Sequence, residues 1–176
     1  SRRCFTGMTN AALDFKAKTI RDISREPKVR KKSNRGKKTH TIALVPAPYV
    51  PTLWNDVSDQ LEKAVARSKG RWTMESLYNA IASERQHLWV AFNSDKIIDG
   101  VGTTEIIEYP GKRMLGVQFL GGKNFNDWVW DIIEKFDSWA KDNNCLGIEA
   151  TARDGFWKWL QQDGFVKSYV VYEKRV

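Results

Sequence analysis

The chain has 176 residues, of which 41 % are hydrophobic and 12 % aromatic, so its composition predicts a packed globular body and excludes wholesale disorder. No apolar run approaches the roughly 20 residues that a membrane-spanning helix needs, and the start "SRRCFTGMTN" lacks the apolar core of a secretory signal. The formal net charge is +8, and it is unevenly distributed along the chain.

The positive charge is concentrated in the first quarter of the chain. Residues 1–42 carry thirteen Lys and Arg against three acidic residues, a net of +10, whereas residues 43–176 carry sixteen against eighteen, a net of −2. This asymmetry predicts a basic N-terminal arm over residues 1–39, followed by a nearly neutral domain over residues 40–176.

The most basic part of the arm is residues 28–38, "KVRKKSNRGKK". Self-repulsion favours an extended chain here until a polyanion is met. The segment is interpreted either as a solvated linker or as a contact to nucleic acid or an acidic protein surface, because neutralising phosphates releases counterions. Its seven candidate polyanion-binding residues are Lys28, Arg30, Lys31, Lys32, Arg35, Lys37 and Lys38.

The domain begins with a predicted strand, "THTIALVP". This strand is ended by the prolines at positions 46, 48 and 51. Thr52 is predicted to cap a helix whose apolar face continues to Val65, with Gly70 just past its end. Thr73 is predicted to cap a second helix. Three strands follow: "HLWVAFN", "IIDGVGTTEIIEY" and "RMLGVQFL".

The strongest helical pattern covers residues 125–142, where apolar residues keep the spacing of one buried face. "CLGIEATA" then predicts a strand, "DGFWKWLQQDG" a short helix with core aromatic residues, and "FVKSYVVYEKRV" a final strand or half of a bent hairpin. The order β-α-α-β-β-β-α-β-α-β predicts a mixed α/β domain with one sheet and helices on both faces.

This order and the closing "RDGFWKWLQQDGF" resemble the GNAT fold of N-acetyltransferases, and more narrowly the small GNAT-like proteins of tailed bacteriophages. In those proteins a strand ending in Arg leads into Gly-aromatic, a short helix and a Gly-Phe pair, which are Arg153, Gly155-Phe156 and Gly164-Phe165 here. The resemblance covers residues 40–176 and implies a GNAT-like mixed central sheet, preceded in this chain by the basic arm.

The resemblance also implies an acetyl-CoA site where the fourth and fifth strands separate. The pyrophosphate is expected on the turn into the next helix, because glycines admit the phosphate to the backbone and N–H groups at a helix N-terminus bind it. The implied cofactor-binding residues are Leu120, Gly121, Gly122, Lys123, Asn124, Phe125 and Asn126.

This turn departs from the family's glycine pattern, since Asn and Asp occupy the later glycine positions. Asn124 or Asn126 is expected to cap the helix with its side chain and to occupy N–H groups that a phosphate would use. Asp127 adds a negative charge in the first turn. The turn is therefore interpreted either as a cofactor site or as a structural strand-to-helix turn.

Catalytic candidates follow from the same resemblance, which implies a strand Glu as base and a Tyr on the following helix as acid. Glu105 and Glu149 are candidate bases, with Glu108 as a further one. Leu160 stands where the family often has the Tyr, so Tyr169 and Tyr172 on the predicted last strand are the candidate substitutes.

No metal site is expected, because Cys4 and Cys145 are far apart and His40 and His87 lack a ligand spacing. Both thiols are expected to be reduced.

Three functions stay open at this stage. The first is a degenerate GNAT-like phage protein that acts as a structural or interaction module, a virion or assembly component with protein partners and a polyanion-binding arm. The alternative is an active acetyl-CoA-dependent N-acetyltransferase. A DNA-binding regulator or modification enzyme is a third and weaker hypothesis, since the sequence has no base-reading element. Without a secretory signal, the host cytoplasm or the phage particle is the expected location.

Overall fold

The computed structural model describes residues 37–176, so the predicted arm lies outside the described residues except for its last three. The described residues divide into two compact units, one ending at Thr151 and the other running from Ala152 to Val176. In the first unit the helices and strands are β1 (His40–Val45), α1 (Val50–Ala66), α2 (Met74–Ala82), β2 (His87–Asn93), β3 (Ile98–Tyr109), β4 (Lys112–Gly122), α3 (Phe125–Asp142) and β5 (Gly147–Ala150).

The five strands form one sheet in the order β1-β2-β3-β4-β5. Neighbouring strands are antiparallel from β1 to β4, and β5 is parallel to β4. Short turns suffice for the β2–β3 and β3–β4 hairpins, whereas a parallel neighbour requires a crossover connection, which α3 supplies. The predicted mixed sheet is therefore confirmed.

Helices cover both faces of this sheet. On one face Val101 and Phe119 join a core cluster with Val57 and Leu61 of α1. On the other face Gly100 lies directly beneath Trp128 of α3, where a Cβ atom would overlap the indole. Because successive strand residues point to opposite faces, the alternation of glycine and valine along β3 accommodates a helix on each side.

The two predicted helix caps have different outcomes. Thr73 caps α2 as predicted: its hydroxyl accepts a hydrogen bond from Ser76 N at 3.0 Å, and the Ser76 hydroxyl returns one to Thr73 N. The prediction for Thr52 is wrong, because α1 begins at Val50 and Thr52 lies inside it. Pro51 favours this earlier start, since its fixed φ and missing N–H suit the first turn of a helix.

The second unit contains a short helix, α4 (Trp157–Leu160), flanked by 3-10 turns at Asp154–Phe156 and Gln161–Asp163. This agrees with the predicted short helix, but its aromatic residues are half-buried rather than core. The predicted final strand is wrong, because residues 164–176 have no regular secondary structure. A strand needs a hydrogen-bonded neighbour, and the described sheet pairs only β1 to β5.

Candidate functional site

The pairing of β4 with β5 covers only four residues of each strand. It runs from Met114↔Gly147 to Val117↔Ala150, and β4 then continues alone on this side to Gly122. The unpaired stretch of a strand presents main-chain N–H and C=O groups that a ligand can use. We call this stretch, residues 118–122, the β4 extension; it includes Leu120, Gly121 and Gly122 of the predicted site.

The turn from β4 into α3 is fixed by main-chain contacts. Gly122 has φ +139°, and a Cβ atom there would overlap the carbonyl oxygen of Asp99, so the turn requires glycine. Lys123 N donates a hydrogen bond of 2.7 Å to that same oxygen. Trp128, fully buried, donates from Nε1 to the carbonyl oxygen of Lys123 at 2.7 Å. The turn is therefore held in one conformation by β3, through Asp99, and by α3, through Trp128.

The predicted capping of α3 by an asparagine side chain is wrong. Asn124 occupies the N-cap position, but its backbone is left-handed, with φ 51° and ψ 41°, and its side chain makes no capping hydrogen bond. Asn126 lies inside the helix, whose first residue is Phe125. A capping side chain normally works from an extended N-cap backbone, which the left-handed conformation of Asn124 does not provide.

Two of the predicted carboxylates lie in one row across the sheet. Glu105 of β3 pairs with Gly116 of β4, and Gly116 pairs with Glu149 of β5. Residues paired in this way share a face, so both carboxylates stand on the face that α1 covers further along. With two strand spacings between them, their Cα atoms are about 10 Å apart. A Cβ atom on Gly116 would meet the Ile107 side chain at 2.7 Å, so Ile107 occupies the space above this glycine.

Glu105 is half-buried at the edge of the β4 extension. Gln118 Nε2, the first residue beyond the β4–β5 pairing, donates a hydrogen bond of 3.4 Å to Glu105 Oε2. Burial raises the pKa of the Glu105 carboxyl, and the positive charge of Arg85 partly opposes this. A carboxylate with a raised pKa in such a place is suited to take a proton.

The remaining sequence candidates are placed elsewhere. Tyr109 Oη donates a hydrogen bond of 2.6 Å to Glu149 Oε1, so this carboxylate already has a hydroxyl partner. Glu108 is exposed and pairs with Arg113 at 3.0 Å. Tyr169 belongs to the second unit, on no strand, and is 75 % exposed.

The sequence did not indicate a buried hydrogen-bonded pair next to the turn. His40 Nε2 lies 2.8 Å from Asp99 Oδ2, and the His40 side chain is only 4 % exposed. Asp99 thus binds the start of β1 through its side chain and the β4–α3 turn through its carbonyl oxygen. The two residues are 59 positions apart, so no local pattern reveals the pair.

Of the seven basic candidates in residues 28–38, the structure describes two. Lys38 Nζ lies 3.8 Å from both Asp131 Oδ1 and Glu134 Oε2 of α3. Lys37 is exposed. The other five lie outside the described residues.

Similar solved structures decide the fold. An aminoglycoside acetyltransferase from an uncultured soil metagenomic sample superimposes with a TM-score of 0.59 at 12 % identity, over 78 % of this chain and 96 % of that one. A putative acetyl transferase from Pyrococcus furiosus gives 0.59 at 15 %, over 78 % and 99 %. A ribosomal-protein-alanine N-acetyltransferase from Brucella melitensis gives 0.59 at 13 %, over the same shares.

The chain has the GNAT fold. At these identities the similarity establishes the GNAT architecture alone. No protein-family model matches the sequence, and no curated protein matches it. Within residues 37–176 no three or more His, Cys, Asp or Glu are grouped to hold a metal ion. The same residues contain no helix that is both long and apolar enough to cross a membrane.

Proposed function

We propose that the chain binds acetyl-CoA along the β4 extension and acts as an acetyl-CoA-dependent N-acetyltransferase. The observation that carries this proposal is the position of Glu105, a half-buried carboxylate with a raised pKa beside the point where β4 leaves β5. The named neighbours with the same fold include three acetyltransferases, which supports the proposal by analogy.

A pyrophosphate would lie at the β4–α3 turn, where α3 begins. The side chain of Asn124 does not cap this helix; Asp127 N donates instead to the carbonyl oxygen of Asn124 at 2.9 Å. The partial positive charge of a helix N-terminus favours an anion at such a place. Lys123 is exposed at the same turn and supplies a positive charge. Gly121 and Gly122 allow the main chains of Gln60 and Asp99 to approach this turn closely, which fixes its position against α1 and β3. Bound acetyl-CoA would supply its acetyl group to an amine: the amide bond forms, the thioester bond breaks, and coenzyme A leaves as a thiol once it has taken up a proton.

Glu105 would act on the amine. An amine must lose a proton to become a nucleophile, and a carboxylate whose pKa is raised by burial is a better acceptor for that proton than an exposed one. Gln118 orients the carboxylate through its hydrogen bond to Oε2. Glu149 accepts a hydrogen bond from Tyr109 and lies on the other side of Gly116 from Glu105. It supplies a second negative charge that attracts a cationic acceptor.

Titration calorimetry of acetyl-CoA into the full chain tests the cofactor site. We expect saturable binding that Lys123→Glu weakens by about tenfold or more, because a repulsive charge replaces an attractive one at the pyrophosphate. Lys112→Glu is the matched control, since it makes the same charge change at the opposite end of β4, roughly 35 Å away. Absence of binding at millimolar acetyl-CoA, or equal weakening by both variants, would overturn the proposal.

A second candidate function is an interaction module of a phage particle or its assembly. The observation that favours it is the net charge of +10 on residues 1–42. The family's acid position also holds Leu160, and Asp127 places a negative charge near the pyrophosphate site.

This second candidate predicts salt-dependent binding of a single-stranded oligonucleotide by the full chain. Replacement of the seven basic residues of segment 28–38 by Ser is expected to abolish most of the binding. Unchanged affinity would exclude the arm as a polyanion-binding element. This assay uses no acetyl-CoA, so it separates the two candidate functions.

A further inference from the structure

A buried glutamine lies immediately before β2. Gln86 is 1 % exposed, yet neither the oxygen nor the nitrogen of its side-chain amide has a hydrogen-bond partner among residues 37–176. Its main-chain N–H is paired, since it donates to the carbonyl oxygen of Ala80 at 2.9 Å. A buried amide without hydrogen bonds opposes folding, and an apolar side chain of similar size would avoid this cost. Packing alone therefore does not explain a glutamine at this position.

The strand register places this amide beside the candidate base. His87 pairs with Thr104, so the same antiparallel register continued by one residue sets Gln86 opposite Glu105. Residues directly opposite each other share a face of the sheet, with Cβ atoms about 5 Å apart. The charge of Arg85, the residue before Gln86, acts on the Glu105 carboxyl, which agrees with this placement.

Glu105 has an oxygen available for the amide. Gln118 Nε2 donates to Oε2 at 3.4 Å, which is a long hydrogen bond. Among the described residues, no hydrogen bond reaches Oε1. The side chain of a glutamine is long enough to reach a carboxyl group on the facing residue, so rotation about its bonds can bring either amide atom to this oxygen.

The geometry points to Gln86 as a positioning residue: we propose that its amide hydrogen-bonds the Glu105 carboxyl while the acceptor amine is deprotonated. This role rests on the proposed function, in which Glu105 is the base. The acceptor's ammonium nitrogen gives one proton to a Glu105 oxygen and keeps the electron pair as a neutral amine. A carboxamide suits both states of the base, because its N–H group donates to a carboxylate and its C=O group accepts from the acid.

The hydrogen bond to the ionised form of Glu105 is the stronger of the two. A bond to a charged acceptor is shorter and about twice as strong as one between neutral groups. Burial raises the pKa of Glu105, and the Gln86 amide would limit that rise by favouring the carboxylate. A base with too high a pKa is already protonated at neutral pH, so this limit keeps Glu105 able to accept a proton.

A carboxyl NMR titration of Glu105 in the full chain, without acetyl-CoA, tests the contact; Glu105→Gln identifies the signal. We expect Gln86→Met to raise the pKa of Glu105 by about half a unit or more, since the donor to the carboxylate is lost. Thr103→Val is the matched control, because it also replaces a buried, unpartnered polar group by an apolar one of similar size. An unchanged pKa in Gln86→Met, or an equal rise in both variants, would overturn the proposal.

Gln86→Asn provides the same test with less change to the core. It keeps the amide but shortens the side chain by one methylene, so the pKa of Glu105 should rise here as well. In an acetylation assay, both Gln86 variants should move the rising limb of the kcat/KM profile to higher pH, with KM for acetyl-CoA unchanged. Full turnover with the wild-type pH profile would overturn the positioning role.

The titration and the calorimetry separate this proposal from the proposed function. A raised pKa of Glu105 in the Gln86 variants, in a chain that binds no acetyl-CoA, would support the contact and overturn the acetyltransferase. An unchanged pKa in a chain that binds acetyl-CoA and acetylates an amine would overturn the role of Gln86 alone.

Discussion

The indole Nε1 of Trp128 donates a hydrogen bond of 2.7 Å to the carbonyl oxygen of Lys123, five residues earlier in the chain. The first turn of α3 therefore holds the turn that precedes it. The same indole covers Gly100 of β3, so the anchor itself is fixed by the sheet. Formation of the candidate cofactor turn thus depends on packing on the opposite side of the sheet from Glu105.

Gly100→Ala should destabilise the fold. The new Cβ would overlap the buried indole of Trp128, and overpacking of a core typically costs about 1–3 kcal/mol. Chemical denaturation measures the free energy of unfolding. Gly111→Ala is the control, because a Cβ there meets nothing within 4 Å. A Gly100→Ala variant as stable as the control would show that the Trp128 packing is easily rearranged.

Glu105→Gln should stabilise the fold while it lowers the proposed activity. Burial raises the folded-state pKa above the unfolded one, so the ionised carboxylate opposes folding, and this cost develops as pH rises through the folded pKa. Unfolding free energies at pH 4 and pH 8 should show the variant's advantage only at the higher pH.

For an amine acceptor that the wild type acetylates, we expect Glu105→Gln to lower kcat/KM by about 10²- to 10⁴-fold. Glu62→Gln, an exposed position on α1, should retain activity. If Glu105→Gln kept full turnover, Glu105 would not be the base.

His87 should make the fold sensitive to mild acid. Burial lowers its pKa, against the opposing effects of a hydrogen bond with the Thr104 backbone and the charge of Glu84. The unfolded chain then binds more protons than the folded one as pH falls below about 6.5, so stability is present above that pH and decreases below it.

Thermal unfolding between pH 7.5 and pH 5.5 measures this loss of stability. His87→Gln should reduce the pH dependence of Tm. Loss of the ring contact with Trp139 should lower Tm by the same amount at every pH. Equal pH slopes for the two proteins would exclude His87 as the source.

Thr73→Ala should destabilise the protein by about 0.5–2 kcal/mol, because it removes the acceptor of the Ser76 N–H bond at the start of α2. Thr52→Ala provides the comparison, since Thr52 is exposed inside α1 and alanine is the better helix former there. Denaturant midpoints of the two variants should therefore move in opposite directions. A destabilising Thr52→Ala would indicate that Thr52 caps α1 after all.

The sequence by itself determined the elements that depend on local patterns. The helical period over residues 125–142 predicted α3 with its observed bounds, and the strands β2 and β3 were predicted to within one residue. Capping by Thr73 was also readable, since its hydrogen bonds join residues three apart. Such signals are local, because the backbone of a helix or a strand sets the period of its side chains, and this period does not depend on the element it packs against.

Tertiary structure alone decided the rest. The row Glu105, Gly116 and Glu149, and the pair of His40 with Asp99, join strands whose register depends on the whole sheet. The apolar residues of the C-terminal segment predicted a strand, yet no strand formed, because β propensity is realised only beside a partner edge. The physical reason is the same for the row of residues, the buried pair and the C-terminal segment. Each depends on hydrogen bonds and packing between segments that are distant in the chain, and a local pattern of side chains does not record these interactions.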